Sequence, residues 1–297
     1  MKKCAILLFM LIIGESYSQS VLGKAGIYLE QNNIVQAKSI LTEQVNENNT
    51  NLDVLELLGD IASFEKNWDT AISYYKKLVT TQPKNASFNL KYGGAIGMKA
   101  LSVSRLQALV YISDIKKYLE LAAEQDRTQI ESRRALVELY VQLPGFLGGS
   151  DERATMYAEE LKSLSPVNAY LAKGFIVKEN QDVSDAIKYY KNAFKLYRAS
   201  NNTSSSNSLN YEFGKVAAEL NLELNYGSRL LDEYIKNYSY RDIYSMEWVY
   251  LRKAQISANL NNKESALKYI EMALTLRGDF KEALHEKDRI QDLLLRF

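Results

Sequence analysis

The chain has 297 residues, with 37 basic and 36 acidic side chains, one histidine and one cysteine. A charge balance this even favours neither nucleic acid nor an anionic lipid surface as partner, since both call for a basic surplus. One histidine excludes histidine-based catalytic triads and multi-histidine metal sites, so no catalytic residue, no cofactor and no metal is expected and the chain reads as a non-enzyme.

Lys2 and Lys3 lead an apolar run from Ala5 to Gly14, and Ser16-Tyr17-Ser18 then sets small residues around a bulky one just before Gln19. This predicts a cleavable signal peptide over residues 1–18. The run is too short to span a bilayer. Cys4 lies ahead of the run, so it is not the lipid-modified cysteine of a lipoprotein signal, and its loss with the leader leaves no disulfide or thiolate metal site. Cleavage also removes Lys2, Lys3 and Glu15, leaving basic and acidic residues equal in number. The expected product is periplasmic or secreted.

Beyond the leader a small residue recurs on a beat of twelve. Gly59, Ala71 and Pro83 mark the clearest copy, with Leu55, Leu58, Ala62, Tyr75 and Leu78 between them at helical spacing. The same interval separates Ala25 from Ala37, Gly174 from Ala186, Ala254 from Ala266, and Ala154 from Pro166. Ala37 to Ala71 measures one full period, and the segment from Ala71 to Lys76 is echoed by that from Ala186 to Lys191. Helical hairpins are therefore predicted to begin near residues 18, 52, 87, 129, 167, 207 and 247. Asp69 is the expected cap of the return helix in the second, and Pro83 its stop.

The register slips twice. Ala71 to Ala154 is longer than two periods by almost half a period, which places insertions near 93–111 and at 143–149, the latter the turn Leu143-Pro144-Gly145-Phe146-Leu147-Gly148-Gly149. Ala186 to Ala266 also exceeds two periods, and the polar tract at 201–208 accounts for most of that surplus. Repeats one to five thus occupy 19–200, a Ser/Asn-rich linker 201–208, and repeats six and seven with a capping helix 209–297. In the cap, Phe280, Ala283, Leu284, Lys287, Ile290, Leu294 and Phe297 share one face, with His285 on the charged side.

This pattern resembles the tetratricopeptide repeat family, whose period of about 34 residues is the spacing of Ala37 and Ala71, although the chain lacks a tryptophan near the start of most units. The resemblance implies an all-α fold: a right-handed α-solenoid of about seven helical hairpins with a C-terminal capping helix, whose concave groove grips a protein or peptide. With the export signal, the turn from Pro144 to Gly149 is similar to that of a group of exported bacterial members. The first helix of each hairpin would line the groove, and its residues off the packing stripe are Asp53, Glu56, Asp60, Phe64, Asn168, Phe175, Lys178, Trp248, Leu251 and Gln255. Trp248 is either a binding anchor or core. Phe146 and Leu147 either plug a gap between repeats or form an exposed apolar contact. Ser150 or Asp151 is expected to cap the following helix, and the tyrosines to serve mostly in packing. A monomeric or weakly self-associating scaffold is expected, the alternative being a structural subunit of an envelope assembly that docks through its edges and the Pro144–Gly149 loop.

Overall fold

The computed structural model describes residues 21–45, 51–200 and 206–295, with side chains as far as Asp292. The expected signal peptide, residues 201–205 of the polar tract, the Leu294 side chain and Phe297 lie outside these. Every regular element among the described residues is helical. After α1 (residues 21–30) come α2 (Ile34–Thr42), α3 (Leu52–Phe64), α4 (Trp68–Thr81), α5 (Ala86–Leu101), the short α6 (Arg105–Ala108), α7 (Ile112–Gln125) and α8 (Ile130–Gln142). Then follow α9 (Asp151–Leu164), α10 (Pro166–Glu179), α11 (Val183–Ala199), α12 (Asn207–Leu220), α13 (Leu224–Lys236), α14 (Met246–Asn259), α15 (Lys263–Leu276) and α16 (Lys281–Leu295). The expected hairpin starts after the first are met at Leu52, Ala86, Ile130, Pro166, Asn207 and Met246. The chain divides into two compact units: residues 1–149 with 239–241, and residues 150–238 with 242–297. The fourth pair, α8 and α9, is thus split between them.

Four of the hairpin turns share one backbone solution. Asn32, Lys66, Gln181 and Asn261 all take positive φ, between 57 and 67°, and each is followed by a residue whose side chain caps the next helix: Asn33, Asn67, Asp182 and Asn262. The left-handed residue ends one helix while its neighbour's side chain accepts a hydrogen bond from an otherwise orphaned N–H of the next. Asn67 therefore caps α4, and Asp69, expected in that role, lies in its first turn. Ser150 caps α9, Pro166 opens α10, and Thr81 ends α4 two residues before Pro83.

The twelve-residue beat has a steric origin. A Cβ on Gly59 would overlap the ring of Tyr75, and one on Gly174 would stand 2.7 Å from the ring of Tyr190. In both hairpins the tyrosine lies sixteen residues after the glycine and four after the beat alanine, Ala71 or Ala186, which is fully buried. A glycine on the first helix and an alanine on the second thus let the two helices close until a tyrosine ring fills the space over the glycine.

In the first unit Ala25, Leu29, Ala37, Leu41, Val54, Leu58 and Ile61 form a core together with Tyr240. The second unit buries Phe213 completely, its ring 4.5 Å from that of Tyr197 and 4.7 Å from that of Phe194. These aromatics give the sixth hairpin its core although its small-residue pattern is weak. Along α16, Phe280, Ala283 and Ile290 are buried, as the stripe requires, and His285 is exposed. Leu284 departs from the stripe and is exposed, while Glu286 is buried with its carboxylate held by Arg289.

Candidate binding surface

Within the first unit α3 presents Glu56 and Asp60 one turn apart, and Lys91 of α5 reaches both. Its Nζ lies 2.7 Å from Glu56 Oε1 and 2.7 Å from each oxygen of Asp60. The Tyr75 hydroxyl donates to Asp60 Oδ1 at 2.7 Å and stands 3.2 Å from Ser63 Oγ. Burial, followed by the field of Asp60, pushes the Tyr75 phenol far above its ordinary range. For Lys91 burial pulls the other way, but Asp60 and Glu56 outweigh it and hold the ammonium above its ordinary value. Both carboxylates expected to face a partner are therefore already engaged within the fold. Asp53 is exposed in the first turn of α3, and Phe64 is half-buried against the N-terminal core. Phe146 is 87% exposed, whereas Leu147 is half-buried.

In the second unit three successive first helices contribute to one polar ladder. Lys178 of α10 places Nζ 3.0 Å from Glu219 Oε2 of α12, whose Oε1 lies 2.9 Å from Arg252 Nη2 of α14. Arg252 Nη1 donates to Gln255 Oε1 at 2.9 Å, and the guanidinium sits 5.5 Å from the centre of the Trp248 ring. Burial drives Tyr211 up, partly offset by Arg252, to about 12. Burial would also raise Glu219, yet Arg252, Lys215 and Lys178 together hold it below the usual carboxylate range. Three cations thus surround one carboxylate.

The ladder brings together Lys178, Gln255 and Trp248, which were expected from sequence, through Glu219 and Arg252, which were not. A periodic signal existed for the missing partners: Lys91 follows Glu56 and Asp60, and Arg252 follows Glu219, by close to one repeat. Phe175 is half-buried and, like Asp53, takes no part in either network. Two expected contact residues need correction. Leu251 is only 1% exposed and belongs to the core with Ala254, Ile270 and Phe280. Asn168 is buried, its amide donating to Ser165 Oγ. Leu251 packs against the return helix α15, and Asn168 turns to the Ser165 cap of its own helix, which takes both side chains out of reach. Trp248 is half-buried, edge-on to Phe280 at 4.7 Å between ring centres, so it has a packing role whatever else it contacts.

A carboxylate stabilised in its charged form makes stability depend on acid. The unfolded chain takes up a proton at Glu219 near the ordinary value, before the folded chain does. The contribution of Glu219 is therefore complete above that range and is lost as pH falls through the depressed folded value. Urea unfolding from pH 7 down to pH 3 is expected to show a decline below about pH 4.5 that is shallower in Glu219→Gln. An identical slope in the variant would remove the ladder from this account.

No group of three or more His, Cys, Asp or Glu among the described residues could hold a metal ion, and no helix among them is long and apolar enough to cross a membrane. The tetratricopeptide repeat family model matches residues 52–85 and 249–280, the second and seventh hairpins. No curated protein matches the sequence. Among solved structures the chain is similar to a tetratricopeptide repeat protein from Parabacteroides merdae, at 12% identity and a TM-score of 0.55, over 92% of this chain and 98% of that one. It is also similar to a chain of the APC/C hetero-tetramer Cut9-Hcn1, at 15% identity and a TM-score of 0.50, over 86% of this chain and 47% of that one. At such identities the likeness is one of fold.

Proposed function

Because the chain is a tetratricopeptide repeat protein, we propose that it is a non-enzymatic scaffold, exported across the inner membrane, that binds a protein or peptide segment on the face of its first helices. The observation that carries this reading is the ladder of the second unit. Lys178, Glu219, Arg252 and Gln255 come from three successive first helices, and half-buried Phe175 and Trp248 lie on the same helices. Packing alone needs no such row of polar ends, since the return helices already bury the apolar stripes. Polar groups set among partly buried aromatics are what a recognition surface requires.

The test is affinity capture from an envelope fraction by the exported chain, whose first residue is expected by N-terminal sequencing at or near Gln19. Phe175→Ala changes the face without touching the ladder, and Lys215→Glu reverses one of the three cations around Glu219. Each is expected to lower capture of the recovered partner at least tenfold, about 1.4 kcal/mol, with helicity unchanged. Capture at wild-type yield by both variants would sink the proposal. A second reading, a structural subunit of an envelope assembly, is favoured by the exposure of Phe146 in the Pro144–Gly149 loop. It gains if Phe146→Ala alone abolishes capture.

A further inference from the structure

Two insertions that break the repeat register carry a run of exposed apolar side chains in the first unit. In the lengthened third hairpin, Leu106, Leu109 and Val110 follow one another at helical spacings of three and four through α6 and the 3-10 turn Leu109–Tyr111, a pattern that normally marks a buried stripe. Here the stripe points outward: Leu106 is 81% exposed, and Val110 and Leu101 75% each. The inserted turn of the fourth hairpin approaches the first turns of α7, the helix that continues from this stripe, because the Lys116 ammonium stands 3.5 Å from where a Cβ on Gly148 would be. That turn adds Phe146, the most exposed large apolar side chain of the described residues.

The charges around this patch are one-sided. Residues 98–117 hold Lys99, Arg105, Lys116 and Lys117 against a single acid, Asp114, and residues 143–149 hold none. Lys99 is paired with Asp69, while Arg105, Lys116 and Lys117 have no carboxylate partner among the described residues. The even balance of the whole chain conceals this local surplus. The apolar groups project rather than line a recess. A protein partner's anchors usually seat in pockets, whereas projecting leucine, valine and phenylalanine beside cations that no carboxylate neutralises suit a fluid that closes around them and carries negative charge at its boundary.

We propose that this edge of the first unit is a peripheral membrane-docking surface that inserts Leu106, Val110 and Phe146 among the lipids of an anionic bilayer, with Arg105, Lys116 and Lys117 at the level of the headgroups. It is independent of the first-helix face.

The experiment is co-sedimentation with vesicles of phosphatidylcholine alone and of phosphatidylcholine with about 30% phosphatidylglycerol, enough to give the surface a negative potential. A chain starting at Gln19 is used, which keeps every described element and removes the apolar run of residues 5–14. The wild-type chain is expected to pellet with the anionic vesicles at least tenfold better than with the neutral ones, and to be released by salt. Leu106→Ser/Val110→Ser/Phe146→Ser and, separately, Arg105→Gln/Lys117→Gln should each lose most of that binding while keeping the wild-type melting profile, since the replaced side chains are exposed. Equal pelleting by the apolar variant overturns the proposal, as does failure of the wild-type chain to bind either vesicle. A wild-type dimer that the apolar variant turns into a monomer also overturns it, by assigning the edge to a second copy of the chain.

Discussion

Phe213→Ala is expected to lower stability by about 3–5 kcal/mol, the usual cost of deleting a fully buried aromatic ring. Phe213 has no exposed surface and stacks on Tyr197 while leaning on Phe194. Tyr197 is fixed in turn by donating its hydroxyl to Asn210 Oδ1 at 2.8 Å. Removing the ring opens a cavity between helices α11 and α12 that these pinned neighbours cannot collapse to fill. Phe146→Ala deletes the same atoms from a side chain that is almost wholly exposed, and is expected to stay within about 0.5 kcal/mol of wild type. Urea denaturation of the two variants separates burial from chemistry. Equal midpoints would mean that the aromatic cluster does not hold the second unit together.

Gly149→Ala is the second large effect, at about 3 kcal/mol, the upper end of what overpacking costs. An added Cβ would overlap the carbonyl oxygen of Leu143, and that stretch of backbone has little freedom to retreat. Pro144 O accepts from Leu147 N at 2.9 Å and from Gly149 N at 3.1 Å, so the turn closes on itself. Gly148, beside it, is in the left-handed region at φ 91°. Gly145, in the same turn, faces open space, and Gly145→Ala is expected to be nearly silent. Thermal unfolding of the pair is the measurement. A Gly149 variant as stable as the Gly145 variant would show that the closed turn does not brace the α8 end of the first unit.

The repeat architecture was legible because its requirements are local and recur. A glycine or alanine is needed wherever two helices close on each other, and the interval between Gly59 and Ala71 is copied between Gly174 and Ala186. Prolines 83 and 166 stand where a helix must stop or start for reasons of backbone geometry alone. The caps were harder to read. Asn67 and Asp69 are both good capping residues, and the choice rests on the left-handed Lys66, which no side-chain pattern announces.

Sequence by itself determined that the chain is a succession of helices paired into hairpins, because period and steric size are properties of the chain. Only the tertiary structure decided what each first-helix side chain faces. Periodicity places a residue on a helix to within one stripe, and neighbouring stripes differ by one being packed and the other open. Leu251 and Asn168 fell on the packed side for that reason, and Leu284 on the open one. The ladder through Glu219 and the engagement of Glu56 and Asp60 by Lys91 join side chains roughly one repeat apart, so they exist only once successive hairpins are stacked. The outward turn of Leu106 and Val110 likewise could not be foreseen, since their spacing is that of a buried stripe and nothing in the chain itself says that no helix covers it.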